Sequence, residues 1–174
     1  MNIAVYSGSF NPLHIGHLAI IRHMLEEADF DMVYLIVSPK NPLKDSISSA
    51  SAHDRYLAAV SAINRHFAGT DIHEHPRVMV DDIELTMPEP HYSIRTLDAL
   101  KEREPENTFT FVMGADSLND IRRWKDYTRI LKEFGTAVFP RKGYDLELIK
   151  TDLLKEDSSY KITLLKAEMV DISS

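Results

Sequence analysis

Ser7-Gly8-Ser9-Phe10-Asn11-Pro12-Leu13-His14-Ile15-Gly16-His17, directly behind the apolar run Ile3-Ala4-Val5-Tyr6, decides how this chain is read. The apolar run suits a buried strand, and the glycine-bearing turn after it leads into a helix expected to begin near Ile15. Backbone N–H groups at a helix start lack intrahelical partners and carry the positive end of the helix dipole, which suits a phosphate. His14 and His17 fall three residues apart at that point, and Gly16 between them allows a close approach. Together these features form a cradle for a nucleotide triphosphate. The plainer alternative is a strand–helix junction with two surface histidines. The spacing is not G-x-G-x-x-G and no Gly-Lys-Ser/Thr closes it, so neither a dinucleotide fingerprint nor a P-loop is present.

Outward from this stretch, apolar runs and helical patterns alternate. Strands are expected over 3–7, 32–37, 78–83, 109–113, 136–139 and 162–167, with helices over 15–28, 52–66, 93–103, around 117–134 and over 146–154. Near-continuous apolar strands alternating with helices predict an α/β fold: a single domain with a Rossmann-like, doubly wound parallel sheet. Ligands of such sheets bind at the carboxyl ends of the strands, where strand order reverses. The segments after Ser7, Val37, Ile83 and Met113 should therefore share one edge. The connection over 38–49 is longer than most and proline-bearing, as functional loops often are.

Composition narrows the function classes. The chain has 174 residues, enough for one core without metal or disulfide staples. It has no cysteine, which excludes a disulfide framework and Cys-ligated zinc and fits a reducing, cytoplasmic setting. No apolar run approaches the ~20 residues of a membrane helix, so no membrane partner is expected. A net charge of -7 argues against a nucleic-acid surface. Any nucleotide must then be held by local positive groups.

Four further stretches carry chemistry-bearing residues. Ser38-Pro39-Lys40-Asn41-Pro42-Leu43-Lys44 pins two lysines between prolines, which lowers the entropy of ordering a lysine against a phosphate. Gly114-Ala115-Asp116-Ser117 follows an apolar strand. Asp116 there either caps the next helix or meets a ribose hydroxyl at the sheet edge. The single tryptophan, Trp124, stands shortly beyond. His91-Tyr92-Ser93-Ile94-Arg95-Thr96-Leu97 opens a helix. His73-Glu74-His75 could place two imidazoles on one strand face, but no third ligand is evident, and it reads as a solvated turn with no metal.

The stretch from Gly8 to His17 closely resembles the Gly-x-Phe-Asp/Asn-Pro-x-His-x-Gly-His signature of the nucleotidylyltransferase superfamily. Gly114-Ala115-Asp116-Ser117 followed by Trp124-Lys125 resembles its nicotinate-nucleotide adenylyltransferase branch. The sister pantetheine-phosphate branch more often has threonine in place of His14. The resemblance runs through nearly the whole chain, 1–174. It implies Mg2+-dependent transfer of AMP from ATP to nicotinate mononucleotide, giving deamido-NAD and pyrophosphate in NAD biosynthesis.

By the same resemblance, His14, His17 and Lys44 are the catalytic residues, and Gly8, Ser9, Phe10, His14, His17, Gly114, Asp116 and Ser173 bind ATP. Lys44, Tyr92, Ser93 and Trp124 would hold the acceptor, with Trp124 stacked on its pyridine ring. The chain departs from the family pattern at Leu43, where histidine is usual, at Arg95, where aspartate is usual, and in Met87-Pro88-Glu89-Pro90 upstream of Tyr92. Val170-Asp171-Ile172-Ser173-Ser174 resembles the start of the family's Ile-Ser-Ser-Thr-x-Ile-Arg motif. The ATP-binding helix it opens would then be cut off after Ser174, and weak ATP binding is expected. The partners expected are ATP and nicotinate mononucleotide, with room left for a homo-oligomer. Alternatives are a sister transferase acting on nicotinamide mononucleotide or phosphopantetheine, or a non-catalytic nucleotide-binding sensor.

Overall fold

The second residue of the chain already enters the sheet: β1 (Asn2–Gly8) is apolar over four buried residues and has a strand on each side. The structure, a computed structural model, describes residues 1–39, 51–67 and 77–166. The other strands are β2 (Met32–Val37), β3 (Val78–Asp81), β4 (Thr108–Gly114), β5 (Thr136–Phe139) and β6 (Ile162–Leu164). They form one sheet in the order β3-β2-β1-β4-β5-β6, with every pair parallel. The chain winds outward from β1 through β2 to β3, then crosses back to β4 and winds the other way. This is the doubly wound α/β sheet that the alternating pattern predicts.

Side-chain alternation along the strands divides the core in two. Ile3, Val5, Tyr34, Ile36, Phe109, Phe111 and Met113 face one side, where α3 (Ser93–Arg103) and α6 (Leu146–Glu156) cover them with Ile94, Leu97, Leu100 and Leu153. Ala4, Tyr6, Val33, Leu35, Val37 and Val112 face the other, beneath α1 (Ile15–Glu26) and α2 (Ala52–Phe67). In α1 the buried residues Leu18, Ile21 and Met24 recur at helical spacing. With both faces covered, the strands are apolar almost throughout.

Three segments differ from the sequence reading, each for a local reason. β3 ends at Asp81 rather than running to 83, because the Asp81 carboxylate accepts the Ile83 N–H at 3.0 Å and turns the chain into a 3-10 turn, Ile83–Thr86. Arg103, from the last turn of α3, clamps the same carboxylate through both guanidinium nitrogens at 3.2 and 2.6 Å. The helical region around 117–134 is broken into α4 (Ala115–Asn119), a 3-10 turn (Ile121–Arg123), α5 (Tyr127–Arg129) and a π-helical turn (Ile130–Phe134). Trp124 is extended there and Asp126 is left-handed at φ 53, so no continuous helix passes through. β6 stops at Leu164.

Phe109 is 1% exposed and packs in the layer beneath α3. Phe109→Ala is expected to lower the unfolding free energy by about 3–5 kcal/mol, through lost burial and a residual cavity. Urea denaturation followed by circular dichroism reads that loss.

Candidate active site

β1 and β4 are neighbours whose chains leave in opposite directions across the sheet, so their carboxyl ends flank the point where strand order reverses. Gly8, Ser9, Phe10, His14 and His17 follow β1, and Gly114 and Asp116 follow β4. The structure thus brings both expected halves of the nucleotide site to one edge. Tyr92 and Ser93 stand at the start of α3, on the opposite face of the sheet from α1.

The turn after β1 is held by packing. Phe10 is 4% exposed, has a left-handed φ of 46°, and folds its ring back over Gly8. A Cβ on Gly8 would stand 3.1 Å from that ring, so glycine is what lets the ring lie there. The ring meets Tyr6 edge-on at 5.6 Å and His17 at 5.1 Å. The Phe10 side chain is therefore part of the core, and any contact it offers a nucleotide comes from its backbone.

The two histidines cap α1 reciprocally. His14, at the N-cap, accepts the Gly16 N–H at Nδ1 (3.1 Å), and His17 accepts the His14 N–H at Nδ1 (3.1 Å). An accepting Nδ1 carries no proton, so in both neutral rings the proton sits on Nε2 as a donor. The rings lie 3.8 Å apart between centroids and 32° from parallel. Burial, reinforced by the charge of His14, pushes the His17 imidazole down to about 4. His17 is thus a neutral donor at pH 7, and positive charge at the site must come from other groups and from the helix dipole.

Arg55 was given no chemistry in the sequence reading, and the structure gives it a mechanical task. It is 5% exposed on α2 and donates to the carbonyls of Ser9 at 2.7 Å, Ser38 at 2.8 Å and Pro39 at 3.0 Å. One guanidinium thereby ties the turn after β1 to the segment after β2. Ser38 N–H also donates to the Gly8 carbonyl at 2.9 Å. The helical spacing of Leu57, Val60 and Ile63 says nothing about such a tie, because the partner carbonyls are remote in sequence.

On the β4 side, Gly114 is the N-cap of α4 without a side-chain cap, and Asp116 lies within the first turn. The capping role considered for Asp116 is therefore not realised. Its carboxylate instead faces Arg141 Nη1 at 3.5 Å. A Cβ on Gly114 would come within 2.7 Å of that carboxylate and 2.9 Å of the Phe139 ring. Arg141 follows β5, and its charge also reaches the buried Tyr6 hydroxyl, whose titration burial pushes up. The sequence reading passed over Arg141. Its signal was a basic residue just after a strand, at the edge where ligands of such sheets bind.

Trp124 is half-buried and meets Phe111 edge-on at 5.7 Å. Tyr92 is the uncapped N-cap of α3 and is 46% exposed. The departures at Arg95 and Met87-Pro88-Glu89-Pro90 are coupled: Arg95 donates to the carbonyls of Pro88 at 3.2 Å and Pro90 at 2.5 Å. Lys44, Ser173 and His73-Glu74-His75 lie outside the described residues. Among the described residues no group of three His, Asp or Glu could hold a metal, and no helix is long and apolar enough to cross a membrane. A groove of about 1000 Å³ runs between α6 and β6, lined by none of the residues named for the site.

Residues 5–174 match the cytidylyltransferase-like family. The chain is 35% identical, over all of its length and 83% of the relative's, to a Flavobacterium psychrophilum protein named "Probable nicotinate-nucleotide adenylyltransferase". A Porphyromonas gingivalis protein of the same name is 36% identical over 84% of this chain and 70% of its own. The fold is similar to that of Plasmodium falciparum nicotinic acid mononucleotide adenylyltransferase complexed with NaAD, at TM-score 0.74 and 21% identity, covering 99% of this chain and 77% of that one.

The His17 imidazole makes stability depend on pH. Its unfolded form titrates near ~6.5 and its folded form near 4. The stability present above pH ~6.5 is therefore lost as pH falls through that window towards 4, on the order of 3 kcal/mol. His17→Asn, which keeps an acceptor but cannot protonate, should flatten this part of the curve in thermal melts from pH 7.5 to 4.

Proposed function

The chain belongs to the cytidylyltransferase-like family and to its nicotinate-nucleotide adenylyltransferases, and from that premise we propose that it transfers AMP from ATP to nicotinate mononucleotide. The products are deamido-NAD and pyrophosphate. The observation that carries the reading is the paired capping of α1, which sets two Nε2 donors beside the helix N-terminus at the switch point between β1 and β4.

No enzyme nucleophile is needed. A phosphate oxygen of the mononucleotide attacks the α-phosphorus in line, a new P–O–P bond forms, and the bond to the β-phosphate breaks to release pyrophosphate. Catalysis is then positioning and charge stabilisation. His17 donates from Nε2 to the α-phosphoryl group and His14 to the neighbouring phosphate, while Lys44 neutralises the departing pyrophosphate. Mg2+ would enter with ATP as part of the substrate and supply charge neutralisation on its phosphates.

Gly8, Ser9, the backbone of Phe10 and Gly114 line the ATP half, Ser173 is assigned to ATP by its sequence motif alone, and Asp116 receives ribose hydroxyls. Arg141 beside Asp116 adds a cation on that side. Tyr92, Ser93 and Trp124 hold the acceptor. The half-buried Trp124, braced edge-on by Phe111, has the fixed ring that stacking on a pyridine requires. An ATP-consuming step of this kind suits the cytoplasm.

Pyrophosphate release is to be measured with Mg-ATP and each of nicotinate mononucleotide, nicotinamide mononucleotide and phosphopantetheine. The reading expects release with the nicotinate form and little with the others; preference for another acceptor reassigns the chain to a sister transferase. Release with none, alongside ATP-dependent thermal stabilisation, would point to a nucleotide-binding sensor. His17→Ala should cost about 10²–10³-fold in kcat, as loss of one preorganised phosphoryl donor does, with circular dichroism unchanged.

A further inference from the structure

Glu84 is a buried carboxyl that the proposed reaction does not use. It stands in the 3-10 turn after β3 and is 4% exposed. Thr96 of α3, fully buried, donates its hydroxyl to Glu84 Oε2 at 2.8 Å. The hydroxyls of Ser7 and Ser38, 3.3 Å from each other, lie close enough to favour the ionised form of this carboxyl. Ser7 is the penultimate residue of β1, just before the histidine loop, and Ser38 directly follows β2. One side chain thus meets β1, the end of β2 and α3 at the carboxyl edge of the sheet.

We propose that Glu84 is a positioning residue: its carboxyl, clamped by Thr96 and faced by Ser7 and Ser38, fixes the spacing between the turn after β1 and the start of α3. This rests on the nucleotide reading given above, in which ATP lies at that turn and the acceptor at Tyr92 and Ser93. Burial works toward the neutral acid. Burial pushes Glu84 above the ordinary carboxylate range, against the hydroxyls of Thr96, Ser38 and Ser7 and the charge of His91, which favour the ionised form. As an acid, Glu84 accepts from Thr96 and donates its own proton into the Ser7–Ser38 pair. As a carboxylate it can only accept, and it adds a buried negative charge beneath a triphosphate site.

The groups facing the carboxyl are therefore Ser7 from β1, Ser38 after β2, Thr96 from α3 and His91 ahead of α3. His91 is itself held by its ring Nε2, 2.9 Å from the Met87 carbonyl. A residue that merely packs would leave the wild-type and Gln proteins with parallel pH profiles. A positioning acid that must stay neutral would not.

Calorimetry with a non-hydrolysable Mg-ATP analogue from pH 5.5 to 9 compares the wild type with Glu84→Gln, which keeps an acceptor for Thr96 and a donor for the serines. Affinity of the wild type should fall at least about fivefold more than that of E84Q as pH rises, since the amide has no proton to lose at this position. At pH 5.5 the two should bind within about threefold of each other, as a neutral amide replaces a neutral acid. Parallel profiles, or an E84Q protein that has lost binding at pH 5.5 with its fold intact, overturn the proposal. Because the readout is nucleotide affinity, absence of pyrophosphate release with every acceptor would refute the reaction reading while leaving this comparison decisive for Glu84.

Discussion

The pairing of β1 with strands on both sides is the constraint on which the rest depends. β2 and β4 bond to the same strand in parallel register, yet the connections that follow wind away in opposite senses. No element can close over the carboxyl end of β1, because the covering helices diverge there. What fills that gap on the α1 face is the chain's own turn, folded back on Phe10 and ending in the cap of α1. The crevice, the helix terminus at its edge and its two imidazoles all follow from one centrally buried strand.

Polar side chains buried beneath the edge then make the crevice stiff. Arg55 holds three carbonyls from two segments, and Asp81 is tied to Arg103 while it turns the chain after β3. Each tie joins residues far apart in sequence, and each buried charge is matched by oxygen or nitrogen partners, as burial demands. The imidazoles follow the same logic at smaller scale. By accepting backbone N–H groups at Nδ1, they satisfy donors that a helix start leaves unpaired, and the same bonds choose the tautomer that can donate elsewhere. Capping uses only one side of each ring, so Nε2 stays available to donate outside the cap.

The departures at Arg95 and the proline segment belong together. Arg95 donates to the carbonyls of Pro88 and Pro90, and so shapes the entry to α3 from its own helix. An ionised aspartate has no donor to offer those carbonyls. The two departures thus meet in one set of hydrogen bonds beside the start of α3.

Much of the fold was legible in the chain, because burial on both faces writes itself as uninterrupted apolar runs: 32–37 and 136–139 are the strands they were expected to be, and 93–103 is the helix. The turn from Gly8 to His17 was legible because a strand, a glycine turn and a capped helix start are local events, encoded by neighbours in sequence. What only the tertiary structure decided were contacts between distant residues. Arg103 clamps the Asp81 turn that ends β3, Trp124 packs on Phe111 where the helical region around 117–134 breaks, and the Phe10 ring packs in the core. The contacts of Arg55 and Glu84 at the sheet edge were equally hidden. A hydrogen bond between residues dozens of positions apart leaves no period in the sequence, since its energy depends on geometry that exists only after the sheet has formed.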